Sequence, residues 1–144
     1  MIVLTRLPSG LTHLTIHCKI YCDPTPIALP FQLQRMVIAG QYHPLSLVHA
    51  LFTGSSATLR DLVINLLQGQ SMEERELIYR SIGSLQNLQR LSDFGRTSDE
   101  TMALLPHLPP SLQEFNTCLP DKHRVIQLAN DLDLSRFPHM NRIT

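Results

Sequence analysis

Leu33-Gln-Arg-Met36-Val-Ile38 and Leu59-Arg-Asp-Leu62-Val-Ile64 are two copies of one short pattern, Leu-x-x-Leu-x-apolar. Leu11-Thr-His-Leu14-Thr-Ile16 is a third. Looser copies follow at Leu88-Gln-Arg-Leu91-Ser-Asp93 and Leu112-Gln-Glu-Phe115-Asn-Thr117, with a weaker sixth at Phe137-Pro-His-Met140-Asn-Arg142. Their first residues are separated by 22, 26, 29, 24 and 25 positions. Leucines spaced by three also occur in helices, so residue type has to decide. Thr15-Ile16, Val37-Ile38 and Val63-Ile64 are β-branched pairs, which favour a pleated strand over a helix. A strand core returning at this interval means one supersecondary unit repeated along the chain.

The segments between the cores have helical character. Leu45, Val48, Leu51 and Phe52 share one helical face. Ser71 and Glu74 have capping-box spacing ahead of Leu77, Ile78 and Ile82, and Thr97 and Glu100 repeat it ahead of Met102, Leu104 and Leu105. Asp121 is placed to cap a helix with Val125, Ile126, Leu128 and Ala129 turned inward. The returns to the strand carry breakers. Leu7-Pro8-Ser-Gly-Leu11, Leu29-Pro30-Phe-Gln-Leu33 and Leu108-Pro109-Pro-Ser-Leu112 all read Leu-Pro-x-x-Leu, and Gly54-Ser-Ser and Gly83-Ser84 stand at the same point of other units.

Strand core, capped helix and breaker together resemble the leucine-rich repeat family, in particular its longer, helix-bearing repeats of the ribonuclease-inhibitor-like and F-box-associated kinds. The resemblance runs from about Leu4 to Thr144. It implies an α/β solenoid, a curved arc with a parallel β-sheet on the concave face and helices on the convex face. Residues 1–144 would be a single domain of about five and a half repeats. The chain opens almost directly on its first repeat and stops inside the sixth, which suggests a fragment of a longer array. Two departures from the family stand out. Lys19, Gln41 and Leu67 occupy positions where the family commonly has Asn or Cys, and Asp93, Thr117 and Arg142 fall where an apolar residue is expected.

The resemblance implies non-enzymatic protein–protein recognition through the concave sheet, as in the substrate-holding part of an F-box-like ubiquitin-ligase adaptor. No segment of this chain resembles an F-box, so ligase subunits would be reached only through a longer parent protein. Side chains between the repeat leucines face the concave side, because a strand alternates its faces. They are His13, Thr15 and His17; Arg35, Val37 and Ala39; Asp61, Val63 and Asn65; Arg90 and Ser92; Glu114 and Asn116; and His139 and Asn141. Stacked about 4.8 Å apart, they make a mixed polar surface with a small apolar centre at Val37 and Val63, suited to a protein or peptide partner.

Composition narrows the alternatives. Twelve Lys and Arg balance twelve Asp and Glu among 144 residues. Nucleic acid and anionic membranes both demand a basic surface, so neither is expected as a partner. No apolar run approaches the roughly 18 residues of a membrane span. Three cysteines, Cys18, Cys22 and Cys118, form no disulfide framework and read as reduced thiols of a cytoplasmic or nuclear protein.

His13-x-x-x-His17-Cys18-x-x-x-Cys22 would suit zinc on a helix and is the basis of a rival reading as a small metal-binding hydrolase. On a strand the two histidines stand about 13 Å apart and cannot share one ion. Ser55 lies in a turn with no histidine partner implied, and the glycine-rich, phosphate-loop and metalloprotease signatures are absent. No catalytic, cofactor or metal residues are therefore assigned. A third reading, a scaffold segment, would join a larger repeat array through its helices or ends.

Overall fold

A computed structural model of the chain describes residues 4–17, 28–41, 45–67, 71–94, 98–117 and 122–144. Six strands, β1 (His13–Ile16), β2 (Arg35–Gln41), β3 (Asp61–Leu67), β4 (Arg90–Asp93), β5 (Glu114–Thr117) and β6 (Arg142–Ile143), form one sheet. Their order in the sheet is their order in the chain, and every neighbouring pair is parallel. Helices α1 (Leu45–Gly54), α2 (Met72–Gly83), α3 (Ser98–Leu104) and α4 (Lys122–Asp131) lie between successive strands from β2 onward. α3 continues into a 3-10 turn, Leu105–His107; further 3-10 turns stand at Leu4–Arg6, before β1, and at Leu134–Arg136, after α4.

One backbone device repeats at every strand start. The carbonyl of Thr12 accepts hydrogen bonds from the N–H groups of both Gln34 and Arg35, at 2.8 and 3.1 Å. Gln34 does the same for Arg60 and Asp61, Arg60 for Gln89 and Arg90, Gln89 for Gln113 and Glu114, and Gln113 for Asn141 and Arg142. Five equivalent carbonyls each hold two amides of the next unit. This fixes the register, so residues at the same place in each repeat lie side by side across the sheet.

The core sits between the sheet and the helices. Leu33, Leu59, Leu88 and Leu112 are fully buried, and Met36, Leu62, Leu91 and Phe115 form a second layer beside them. α1 contributes Leu47, Val48, Leu51 and Phe52, α2 contributes Ile78, Tyr79 and Ile82, α3 contributes Leu104, and α4 contributes Leu128. All belong to one continuous apolar cluster. Ile126 and Ala129, expected inside, are instead exposed, Ile126 to 61%. α4 docks through Leu128, and the far side of the same helix carries Ile126 outward.

The fourth and fifth units keep the expected register despite their polar residues. Asp93 pairs with Ile64 and with Thr117 across the sheet, so both polar residues take the inward slot that isoleucine fills in β1 to β3. Asp93 is buried there, and the buried Thr101 of α3 donates to its Oδ2 at 3.3 Å and lies 3.4 Å from the Thr117 hydroxyl. Inward polar groups on two strands are thus met by one hydroxyl from the overlying helix, as burial of polar atoms requires.

The sixth unit departs from its expected register by three residues. Glu114 pairs with Arg142 and Phe115 with Ile143, so the repeat reads Met140-Asn-Arg-Ile143 rather than Phe137-Pro-His-Met140. The turn before it agrees: Met140 N–H donates to Phe137 C=O, as Leu112 does to Pro109, Leu88 to Leu85 and Leu11 to Pro8. β2 and β3 are also longer than the others. Gln41 and Leu67, where the resembled family commonly has Asn or Cys, are paired positions inside these strands.

Ser71 caps α2 as its spacing suggests. Its hydroxyl accepts from Glu74 N–H at 3.2 Å, and the Glu74 carboxylate accepts from Ser71 N–H at 3.0 Å. Thr97 and Asp121, the other expected caps, lie outside the described residues. The turns are tied across repeats. Ser55 is buried and its hydroxyl accepts from Leu33 N–H at 2.8 Å; Thr58 donates to Leu33 C=O, Asn87 to Ala57 C=O and Ser111 to Leu88 C=O. Ser55 is therefore part of the frame.

Gly83 ends α2 against the next unit, where a Cβ would stand 2.7 Å from the backbone oxygen of His107. Gly83→Ala should cost about 1–3 kcal/mol, because a backbone atom has to move. Leu88→Ala should cost about 2–5 kcal/mol by cavity formation. Both are measured as a lower urea midpoint; an unchanged Gly83→Ala midpoint would contradict the close approach of α2 to the 3-10 turn.

Candidate functional site

The face of the sheet turned away from the core is lined by rows of side chains that run across the strands. The first row is His13, Arg35, Asp61, Arg90, Glu114 and Arg142. The second is Thr15, Val37, Val63, Ser92 and Asn116, with Thr144 bonded to Asn116 at its end. Ala39 and Asn65 pair in a third row, and Phe94, whose N–H bonds Ile64 C=O, follows β4 beside them. His17 is exposed just past β1. Every expected open-face residue in the first five strands is on this face.

The sixth strand is the exception. The shift of three residues replaces His139 and Asn141 with Arg142 and Thr144, and Asn141 belongs to the carbonyl-bonded strand start. Arg142, Thr144 and Phe94 were missed in the sequence. Phe94 could have been found by carrying the alternation one residue past Asp93.

The first row has a charged centre. Asp61 Oδ2 lies 3.2 Å from Arg90 Nη2 and 3.6 Å from Arg35 Nε. The carboxylate is sunk, its side chain 13% exposed, while the two guanidinium side chains remain 53% and 55% exposed. Arginine offers five N–H donors on a planar fork, and each of these residues commits only one nitrogen to Asp61. In the second row Asn116 donates to Ser92 at 3.2 Å and accepts from Thr144. Val37 and Val63 are half-buried neighbours with no polar group between them. Asn65 keeps its Oδ1 without a hydrogen-bond partner among the described residues.

Behind the sheet a second polar group lies partly buried between the helices. Arg75 of α2 pairs with Glu100 of α3, and Tyr79 is buried beside them. Burial pushes the Tyr79 phenol from 10.0 up to about 12, with the negative charges of Asp93 and Glu100 adding to the effect. His107 of the 3-10 turn meets Glu76 of α2 at 2.9 Å. These contacts join successive helices and do not reach the open face.

His13 lies on the open face with its Nδ1 2.9 Å from the Thr12 hydroxyl. Cys18, Cys22 and Cys118 lie outside the described residues. Among the described residues no group of three His, Cys, Asp or Glu side chains is close enough to hold a metal ion. Also among them, no helix is long and apolar enough to cross a membrane. Compared with protein-family models, with curated proteins and with solved structures, the chain matches none.

Two outcomes follow. Asp61→Asn leaves two guanidiniums without the charge between them, so stability should fall by about 1 kcal/mol and recover part of the loss in added salt. Urea titrations at low and high salt check both. For Tyr79, the folded phenol keeps its proton to about pH 12 while the unfolded one loses it near 10.0. Its contribution to stability is whole below pH 10.0 and is lost as pH rises through about 12. Ultraviolet titration should show a late tyrosinate that is lost in Tyr79→Phe.

Proposed function

We propose that the chain is a curved solenoid of leucine-rich repeats and that the open face of its sheet, the concave side, binds a protein or peptide partner without catalysing a reaction. The repeated strand–helix unit and the sequential parallel sheet support the architecture. One observation carries the function. The open face combines half-exposed guanidiniums, an apolar pair at Val37–Val63 and an exposed Phe94 on a rigid, register-locked sheet. Arginine and aromatic side chains around an apolar centre are the chemistry of protein interfaces.

The finer reading is substrate recognition in an F-box-like ubiquitin-ligase adaptor of the cytoplasm or nucleus, with ligase subunits contributed through a full-length parent. It rests on the resemblance of the repeats to F-box-associated ones. Affinity capture with that parent tests it: ligase subunits and one consistent substrate should come down together, and capture of the substrate without any ligase subunit overturns the adaptor reading.

A scaffold role has a separate observation in its favour. Met72 and Leu77 on α2, Ile126 on α4 and Leu134 after it are large apolar side chains left exposed on the helical side. Paired substitutions separate the two. Val37→Glu with Val63→Lys should weaken partner capture by about tenfold or more with an unchanged circular dichroism spectrum. If Leu77→Glu with Ile126→Lys does so instead, the helices carry the interaction.

A further inference from the structure

We infer that the partner of the open face presents an acidic side chain to Arg35 and Arg90, which Asp61 holds together as a clamp. This deepens the proposed function and rests on it. Arg35 and Arg90 come from strands on either side of β3, so their backbones stand about 10 Å apart. Both side chains nevertheless converge on one oxygen, Asp61 Oδ2. The carboxylate is sunk and the guanidiniums stand above it, so an approaching molecule meets N–H edges first.

The charges reinforce this. Along the row Arg35, Arg90 and Arg142 outnumber Asp61 and Glu114, which leaves an excess of one positive charge. Arg35 engages through Nε and leaves both Nη groups; Arg90 engages through Nη2 and leaves Nη1 and Nε. Among the described residues these two arginines form no other ion pair. The two Nη groups of Arg35 keep the end-on fork that matches a carboxylate or phosphate group, and Arg90 adds single N–H donors beside it. Because Asp61 already orders both long side chains, an incoming anion loses less of its binding energy to immobilising them.

The surroundings specify a peptide rather than a small anion. Val37 and Val63 lie two residues farther along β2 and β3, about 7 Å from the clamp, and Phe94 flanks them. An extended segment that sets its acid on the arginines lays its neighbouring residues on this apolar strip. Glu114 follows Arg90 in the same row and repels a second acid placed there. The ligand is therefore a peptide with one carboxylate side chain next to an apolar one.

A random dodecapeptide library displayed on phage and selected against the full chain tests this. The expected result is peptides enriched in Asp or Glu beside an apolar residue, losing about tenfold or more in affinity on Arg35→Gln with Arg90→Gln. Changing the peptide's own acid to its amide should give a similar loss, and this arm leaves the protein untouched. Replacing the acid with phosphoserine should weaken binding; tighter binding overturns the carboxylate in favour of phosphate. Peptides without acidic enrichment that are still lost on Val37→Glu with Val63→Lys overturn the clamp and leave the open face as the binding site. Peptides insensitive to both pairs of substitutions, or no peptides at all, overturn both.

Discussion

The fold depends on one hydrogen-bonding arrangement, a carbonyl at the start of each strand that holds two successive amides of the next. Thr12, Gln34, Arg60, Gln89 and Gln113 perform this task in turn. Helical connections of different lengths would otherwise let each strand settle in its own register. With the strand starts fixed, the intervening chain can vary while the leucines of successive units stay in line. A slip of one residue would turn every inward side chain outward. The arrangement therefore protects both faces together: the leucine layers behind the sheet and the charged and apolar rows in front of it.

That coupling explains which parts were legible in the sequence. Leu33, Leu59, Leu88 and Leu112 announce the strand starts because an apolar residue three positions on completes a fully buried pair. The sixth unit was ambiguous for the same reason. Phe137-x-x-Met140 and Met140-x-x-Ile143 have equal spacing, and they are distinguished by contacts outside the pattern: the pairing of Phe115 with Ile143 and the turn bond from Met140 N–H to Phe137 C=O. Ile126 was misplaced because Lys122–Asp131 offers more than one apolar stripe, and the choice between them is made by docking.

The open face was legible as a set of residues and not as a set of interactions. Alternation alone puts Arg35, Asp61 and Arg90 outward. Their convergence on one carboxylate oxygen depends on three strands, separated by helices of unequal length, arriving in step. The buried polar group has the same origin. Asp93 looked like a fault in the pattern, because its partner Thr101 belongs to the next helix and Thr117 to the strand after it. Contacts of that kind leave no periodic trace in the sequence.

The unequal strand lengths have a consequence for how the molecule opens. β2 and β3 share seven paired positions, whereas β6 meets β5 at only two. Because each strand pairs with its chain neighbours, local stability is expected to vary along the sheet. The β2–β3 pair, backed by the buried Leu33, Leu59 and Phe52, should then exchange its amide hydrogens more slowly than the short β5–β6 pair. Arg35, Val37 and Val63 lie within that slower-exchanging pair. Arg90 stands one strand beyond it, so the clamp straddles the boundary between a slow-opening unit and a faster one.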